Sequence, residues 1–206
     1  VYSAMGELKL AEKYFLEAIV ENPIGRESVL RNARVYFNLA DLFSLSGDFD
    51  SAILYSKKSI EAASLYDDQR ILTFAYLNLA EASIPVGNYA EARLAVNKCL
   101  EYTQKNNTPR LEIYSHLLDS RISIKYGELI EAETALLKSM TLAKKINAEE
   151  SLLLVMKELS ELYATLGDLA KAYKYLVQYD QLKDQIFNEE SKRILFQEQE
   201  KHNSIE

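Results

Sequence analysis

NLADLFSLSGDFDSAILYSKKSI, residues 38–60, and NLAEASIPVGNYAEARLAVNKCL, residues 78–100, decide the fold. The two stretches stand 40 residues apart, open on the same three residues, and share a glycine, an aromatic two residues after it and an alanine five residues after it. Extended along the chain, the same comparison finds Gly6, Gly47, Gly87, Gly127 and Gly167, separated by 41, 40, 40 and 40 residues. Leu8, Phe49, Tyr89, Leu129 and Leu169 follow two residues later, and Ala11, Ala52, Ala92, Ala132 and Ala172 five residues later. Self-similarity at one fixed period marks an array of identical supersecondary units.

Inside each period the apolar residues recur at steps of three and four, as in Tyr36, Leu39, Ala40 and Phe43 and then Ile53 and Ile60. That is helical spacing, so each period is two helices. Glycine ends the first, because it takes a left-handed cap without a Cβ clash. Helices are expected over 7–21, 26–46, 48–65, 68–86, 88–105, 109–126, 128–146, 148–166 and 168–187. Asp48, Asn88 and Asp168 are expected N-caps. Asn88 with Glu91, and Asn147 with Glu150, have capping-box spacing. Thr108 before Pro109 marks a further start, because proline suits the first helical position. The alanine five residues after each glycine lets two helix backbones approach closely.

The 206 residues carry 24 Lys and Arg against 31 Asp and Glu, a net charge of -7, with 48% apolar residues and a single cysteine. One cysteine supports neither a disulfide framework nor a thiolate metal cluster. An acidic balance spread along the chain argues against direct nucleic-acid contact, which needs clustered basic residues. No apolar run approaches the roughly 18 residues that span a bilayer, so no membrane span is expected in this fragment. Because the chain begins at Val1 and its first repeat lacks a first helix, it is expected to be an excised piece of a longer protein. The compartment, cytoplasmic or periplasmic, stays open.

Tyr36, Leu39, Ala40, Gly47, Phe49 and Ala52, and again Tyr76, Leu79, Ala80, Gly87, Tyr89 and Ala92, resemble the tetratricopeptide repeat pattern. Gly6 to Pro23 is similar to the second half of another such repeat. His116, Asp119, Ser120 and Met156 depart from the pattern in the later periods, and a period of 40 exceeds the family's usual length of about 34. The resemblance implies an all-α, right-handed superhelical solenoid of antiparallel helix pairs: a partial repeat at 1–25, repeats at 26–66, 67–107, 108–147 and 148–187, and a C-terminal capping or extension helix at 188–206. One helix pair cannot bury its own apolar faces, so neighbours share stability.

The resemblance also implies that the first helix of each pair lines a concave groove, with the residues nine before each glycine, Asn38, Asn78, Leu118 and Glu158, pointing into it. Asparagine suits an extended peptide because its amide pairs with a backbone C=O and N–H together. Asn38 and Asn78 are the leading ligand contacts. Nearby positions add Arg34, Phe74, Tyr114 and Leu154; Phe37, Leu77, Leu117 and Lys157; Asp41, Glu81, Arg121 and Glu161; and Lys125. Apolar anchors beside Arg34, Arg121 and Lys125 suit a peptide of some acidic character, while Asp41, Glu81 and Glu161 oppose that reading. Each charge alone also fits an ordinary solvated or interhelical pair.

Tyr36, Tyr76, Tyr89 and Tyr163 sit at packing positions, and Cys99 among Ala95, Val96 and Leu100 reads as an inert buried thiol. His116 and His202 are isolated, and no phosphate loop, HExxH or nucleophile elbow occurs. No catalytic residue, metal or cofactor is therefore expected. Beyond Tyr179, Leu182, Ile186, Phe187, Ile194, Leu195 and Phe196 alternate with charges in one long helix. It is expected to cap the last repeat, with its distal part, where Glu189 and Arg193 break the heptad, projecting. LKDQIFNEESKR, residues 182–193, resembles the segment after the last repeat in bacterial signalling proteins. The resulting expectation is a non-catalytic protein- or peptide-binding module, a sensor or scaffold region of a larger bacterial signalling or transcription-regulating protein. The alternative is a self-association module that forms a homodimer through the exposed edge or the C-terminal helix.

Overall fold

Two kinds of turn join the helices from Arg26 onward. The computed structural model describes residues 2–203; Val1, residues 204–206 and the side chains of Ile194, Leu195, Phe196 and His202 lie outside the described residues. Among those described are nine α-helices and no strand: α1 (Tyr2–Glu17), α2 (Arg26–Ser46), α3 (Phe49–Ser64), α4 (Gln69–Ser83), α5 (Tyr89–Lys105), α6 (Pro109–Tyr126), α7 (Leu129–Lys145), α8 (Glu149–Thr165) and α9 (Leu169–Asn203). The chain is an all-α helical-repeat array.

The turn within each pair is set by its glycine. Gly47 takes φ 82° and donates its N–H to Ser44 O at 3.1 Å, while Asp48 N–H reaches Phe43 O at 2.9 Å. Asp48 then caps α3 by accepting from Ser51 N–H at 3.1 Å, and Asp168 does the same for α9 with Lys171 N–H at 3.0 Å. The turn between pairs has the same shape without glycine. Asp67, Asn107 and Asn147 stand there at φ 47°, 50° and 52°, and the following N–H groups of Asp68, Thr108 and Ala148 close onto Ala63 O, Thr103 O and Ala143 O. Asn and Asp enter the left-handed region more readily than other side chains.

One expected cap is corrected: Asn147 is not an N-cap with Glu150 but the left-handed residue that ends α7, and Ala148 precedes α8. Asn88 holds the N-cap position of α5 without the expected side-chain cap bond. α6 starts at Pro109 directly after Thr108, as expected, with the Thr108 hydroxyl donating backward to Thr103 O at 3.4 Å. The first helix also differs from the expected 7–21. It runs through Gly6 and stops at Glu17, because the Asn32 amide holds Val20 at both its N–H and its C=O, each at 2.9 Å, which takes the chain out of the helix.

Ala52, Ala92 and Ala132 are 0% exposed, so the small residue after Gly47, Gly87 and Gly127 sits between closely packed helices, whereas Ala11 after Gly6 is only half-buried. Apolar clusters continue from pair to pair, for example Leu77, Leu79, Ala80, Ala92, Val96, Leu118 and Ile122 across α4, α5 and α6. The backbones of α2 and α4, α4 and α6, and α6 and α8 approach one another, whereas those of α3, α5, α7 and α9 stand apart, α3 reaching α5 through the Lys57–Glu91 ion pair at 2.7 Å. The array therefore bends with α2, α4, α6 and α8 on its inner side. α9 continues without a break across residues 187 and 188, where a separate helix was expected, because no glycine or proline interrupts it.

Candidate functional site

The inner helices are tied together by the positions expected to hold a ligand. Asn78 Nδ2 donates to Phe37 O at 2.8 Å, and the Phe37 and Phe74 rings stack with centroids 5.5 Å apart, which joins α2 to α4. Tyr114 Oη donates to Glu81 Oε1 at 2.7 Å, joining α6 to α4. Glu158 Oε1 accepts from Arg121 Nε at 2.8 Å and Nη2 at 2.6 Å, and Glu158 Oε2 accepts from Ser120 Oγ at 3.3 Å, joining α8 to α6. Asn78 and Glu158, nine before their glycines, thus reach back to the preceding inner helix, and Tyr114, thirteen before its glycine, does so from α6.

Asn38 does not reach back, and neither does the apolar Leu118 at the same position on α6. Asn38 is half-buried at the equivalent place on α2 and makes no side-chain hydrogen bond among the described residues, leaving its acceptor and two donors free. Leu77 and Leu117, expected on the groove floor, are buried to 4% and 1% exposure inside the apolar clusters, and Leu118 is fully buried. They belong to the core, because their side of each inner helix faces its pair partner. Arg34, Asp41, Lys125, Lys157 and Glu161 are exposed.

One turn beyond Asn38, three successive inner helices enclose a cleft of about 300 Å³. Asp41, Glu81 and Arg121, at one repeat position on α2, α4 and α6, face it, with Leu45, Phe49, Ile84, Pro85 and Leu118 supplying its apolar wall. Arg121 is neutralised by Glu158, whereas Asp41 and Glu81 have no ion-pair partner among the described residues. Three carboxylates therefore surround one guanidinium. Burial pushes the Asp41 carboxyl above the ordinary carboxylate value. Burial also raises the Tyr114 hydroxyl, and its bond to Glu81 adds to that, so the phenol stays protonated and remains a donor. Larger clefts of about 560 and 510 Å³ lie elsewhere, at the 19–23 loop and between α6 and α7 beside His116. Neither joins three successive repeats.

Two structural residues escaped the sequence reading. Asn32 clamps Val20, and Arg93 Nη2 donates to Glu128 Oε2 at 2.6 Å and to Ser123 Oγ at 3.2 Å, binding α5 to the α6–α7 turn. An asparagine on the helical face otherwise formed by the apolar Val29, Ala33 and Tyr36 was the available sign of the first. Cys99 is fully buried and donates to Thr73 O at 3.2 Å, and burial raises its thiol. Among the described residues no group of three metal-ligating side chains comes together, and no helix is long and apolar enough to cross a membrane.

The pattern of the tetratricopeptide repeat family matches residues 33–64 and 75–106, the pairs α2–α3 and α4–α5. Two of the helix pairs thus match the tetratricopeptide repeat pattern. No curated protein matches the chain. Among solved structures the array resembles aspartyl phosphate phosphatase F from Bacillus subtilis, with a TM-score of 0.76 at 14% identity over 90% of this chain and 50% of that one. It also resembles the apo form of RapI, with a TM-score of 0.70 at 15% identity over 93% of this chain and 67% of that one. BtubC from P. vanneervenii gives a TM-score of 0.77 at 14% identity over 89% and 76%. The chain thus spans half the length of aspartyl phosphate phosphatase F. These likenesses extend the tetratricopeptide-like fold over nearly all of the chain, beyond the two repeats matched by sequence.

Proposed function

We propose that this chain is a non-catalytic protein- or peptide-binding module that holds an extended segment along the inner face of α2, α4 and α6. The observation that carries the reading is the cleft that three successive repeats form, with Asn38 unengaged one turn away and Asp41 and Glu81 lacking a counter-ion. Asn38 offers a backbone clamp, the apolar wall accepts an aliphatic or aromatic anchor, and the excess carboxylate favours a cationic side chain. The ligand's charge, which the mixture of groove charges in the sequence leaves open, falls on the basic side, because Arg121 is already neutralised by Glu158.

No catalytic role is assigned. The phosphatase named among the fold neighbours shares the architecture at 14% identity, which carries over no residue. The wider reading, a sensor or scaffold region of a larger bacterial signalling or transcription-regulating protein, is supported by the resemblance of residues 182–193 to the segment that follows such repeats. A solenoid of this kind also occupies half of a longer chain in aspartyl phosphate phosphatase F. A full-length reading frame with an output domain downstream would support it, and a frame without one would end it.

The binding reading is tested by fluorescence anisotropy with labelled, otherwise apolar hexapeptides that carry Lys, Gln or Glu at one central position. The Lys peptide is expected to bind most tightly, Asp41→Asn to remove that preference, and Asn38→Ala to weaken all three alike. Equal binding of the three peptides, or a preference for Glu, overturns the assignment of the cleft.

A further inference from the structure

Leu169, Tyr173, Leu176, Asp180, Lys183 and Phe187 follow one another along α9 at steps of 4, 3, 4, 3 and 4 residues, the spacing of a coiled-coil seam. All six are exposed, with Leu169 at 71%, Tyr173 at 70% and Phe187 at 69%. α9 packs on α8 through a different side, where Ala172 is buried and Tyr175 stacks on Tyr163. The seam is an unpartnered stripe beside that contact.

The repeat shows what such a stripe meets elsewhere. Forty and eighty residues earlier, Lys183 corresponds to Ala143 and Thr103, both 0% exposed, and Asp180 corresponds to the half-buried Met140 and Leu100. A further inner helix packed on α9 in the same way would bury a carboxylate and an ammonium where every other pair is uncharged. Burying unpaired charges is costly. Whatever covers this stripe must supply a cation opposite Asp180 and an anion opposite Lys183.

The same stripe, reversed, supplies both. We infer that the seam of α9 pairs with that of a second copy of this chain, antiparallel, about a two-fold axis between residues 181 and 182. That register sets Asp180 against Lys183 of the second copy and Lys183 against its Asp180, while Leu176 meets Phe187 of the second copy and Phe187 its Leu176. Every contact is self-complementary, as a two-fold interface requires. Parallel pairing would instead set Asp180 on Asp180 and Lys183 on Lys183. The charges therefore choose the orientation, as polar residues do in coiled-coil seams. Within one copy neither charge has an ion-pair partner among the described residues, and the Lys183 ammonium lies 5.9 Å from the Tyr179 ring.

Sedimentation velocity over a wide concentration range tests the pairing, with circular dichroism to establish that each variant stays helical. The wild-type chain is expected to dimerise. Asp180→Lys and Lys183→Asp are each expected to raise the dimer dissociation constant about tenfold or more, since like charges then face one another. Mixing the two variants restores a dimer, because every 180–183 contact is again between opposite charges, and so does the double swap in one chain. Leu176→Asp is expected to abolish pairing while leaving peptide binding at the inner cleft unchanged. A wild-type chain that stays monomeric at all concentrations, or a dimer that survives either single charge reversal, overturns the inference.

Discussion

The two ends of the inner wall are joined by different chemistry. Between α2 and α4 the join is neutral, with two stacked rings and an asparagine amide on a backbone carbonyl; between α6 and α8 it is ionic, with Glu158 accepting from both Arg121 and Ser120. Asn78 and Glu158 occupy the same repeat position and both reach back, whereas Leu118 at that position on α6 is a fully buried core residue, so the chemistry of the position varies. Asn38 occupies that position too, but no inner helix precedes α2 among the described residues to receive its amide. One residue type at one repeat position is thus a structural tie in one pair and an unengaged amide in the other.

Truncating a residue of the packed core gives the largest effect. Leu117→Ala, at 1% exposure in the cluster with Leu136 and Leu159, should cost about 2–5 kcal/mol in urea unfolding. A groove residue would show almost no such loss. Glu158→Ala comes next, at about 1–3 kcal/mol, since it leaves Arg121 without its acceptor. Its cost should fall as salt rises, and that of the neutral join should not.

Asn78→Ala should cost about 1 kcal/mol through the lost bond to Phe37 O. Asn38→Ala should stay within about 0.5 kcal/mol of wild type, and act on ligand affinity instead. Equal stability losses for the two would erase the distinction between them. The smallest effect is a pH dependence on the far side of α6. Burial, reinforced by Lys138 and opposed by Glu112 and Asp119, holds the His116 imidazole below its ordinary 6.5. The unfolded chain then takes up the proton first, so this contribution to stability is complete above about pH 6.5 and is lost as pH falls. His116→Gln should flatten that part of the profile, measured as the urea midpoint against pH, without changing either inner join.

The helix pairs were legible because glycine at a left-handed turn and alanine at a close approach each leave a mark at a fixed place in the sequence. The matching turn between pairs repeats just as strictly at Asp67, Asn107 and Asn147, yet Asn147 read as a helix start, since the same side chain serves both ends of a helix. Leu77 and Leu117 were placed on the groove floor by family position, which fixes a residue along a helix better than around it. The bonds of Asn78, Tyr114 and Glu158 were invisible to periodicity, which registers the face of one helix and not the reach of a side chain onto another.

The order of contacts along the chain has its own consequence. No helix among those described touches one more than two places away in sequence. Closing any native contact therefore requires only a short loop of chain, and topologies of this kind form quickly. Emerging from a ribosome, α2 and α3 can pack before α6 has been made, and each later pair needs only its predecessor as a template. Damage should be equally local. A lesion in α8 would fray the array from that end while α2 to α5 hold, so heating should melt the chain in stages whose order a proteolytic time course can read.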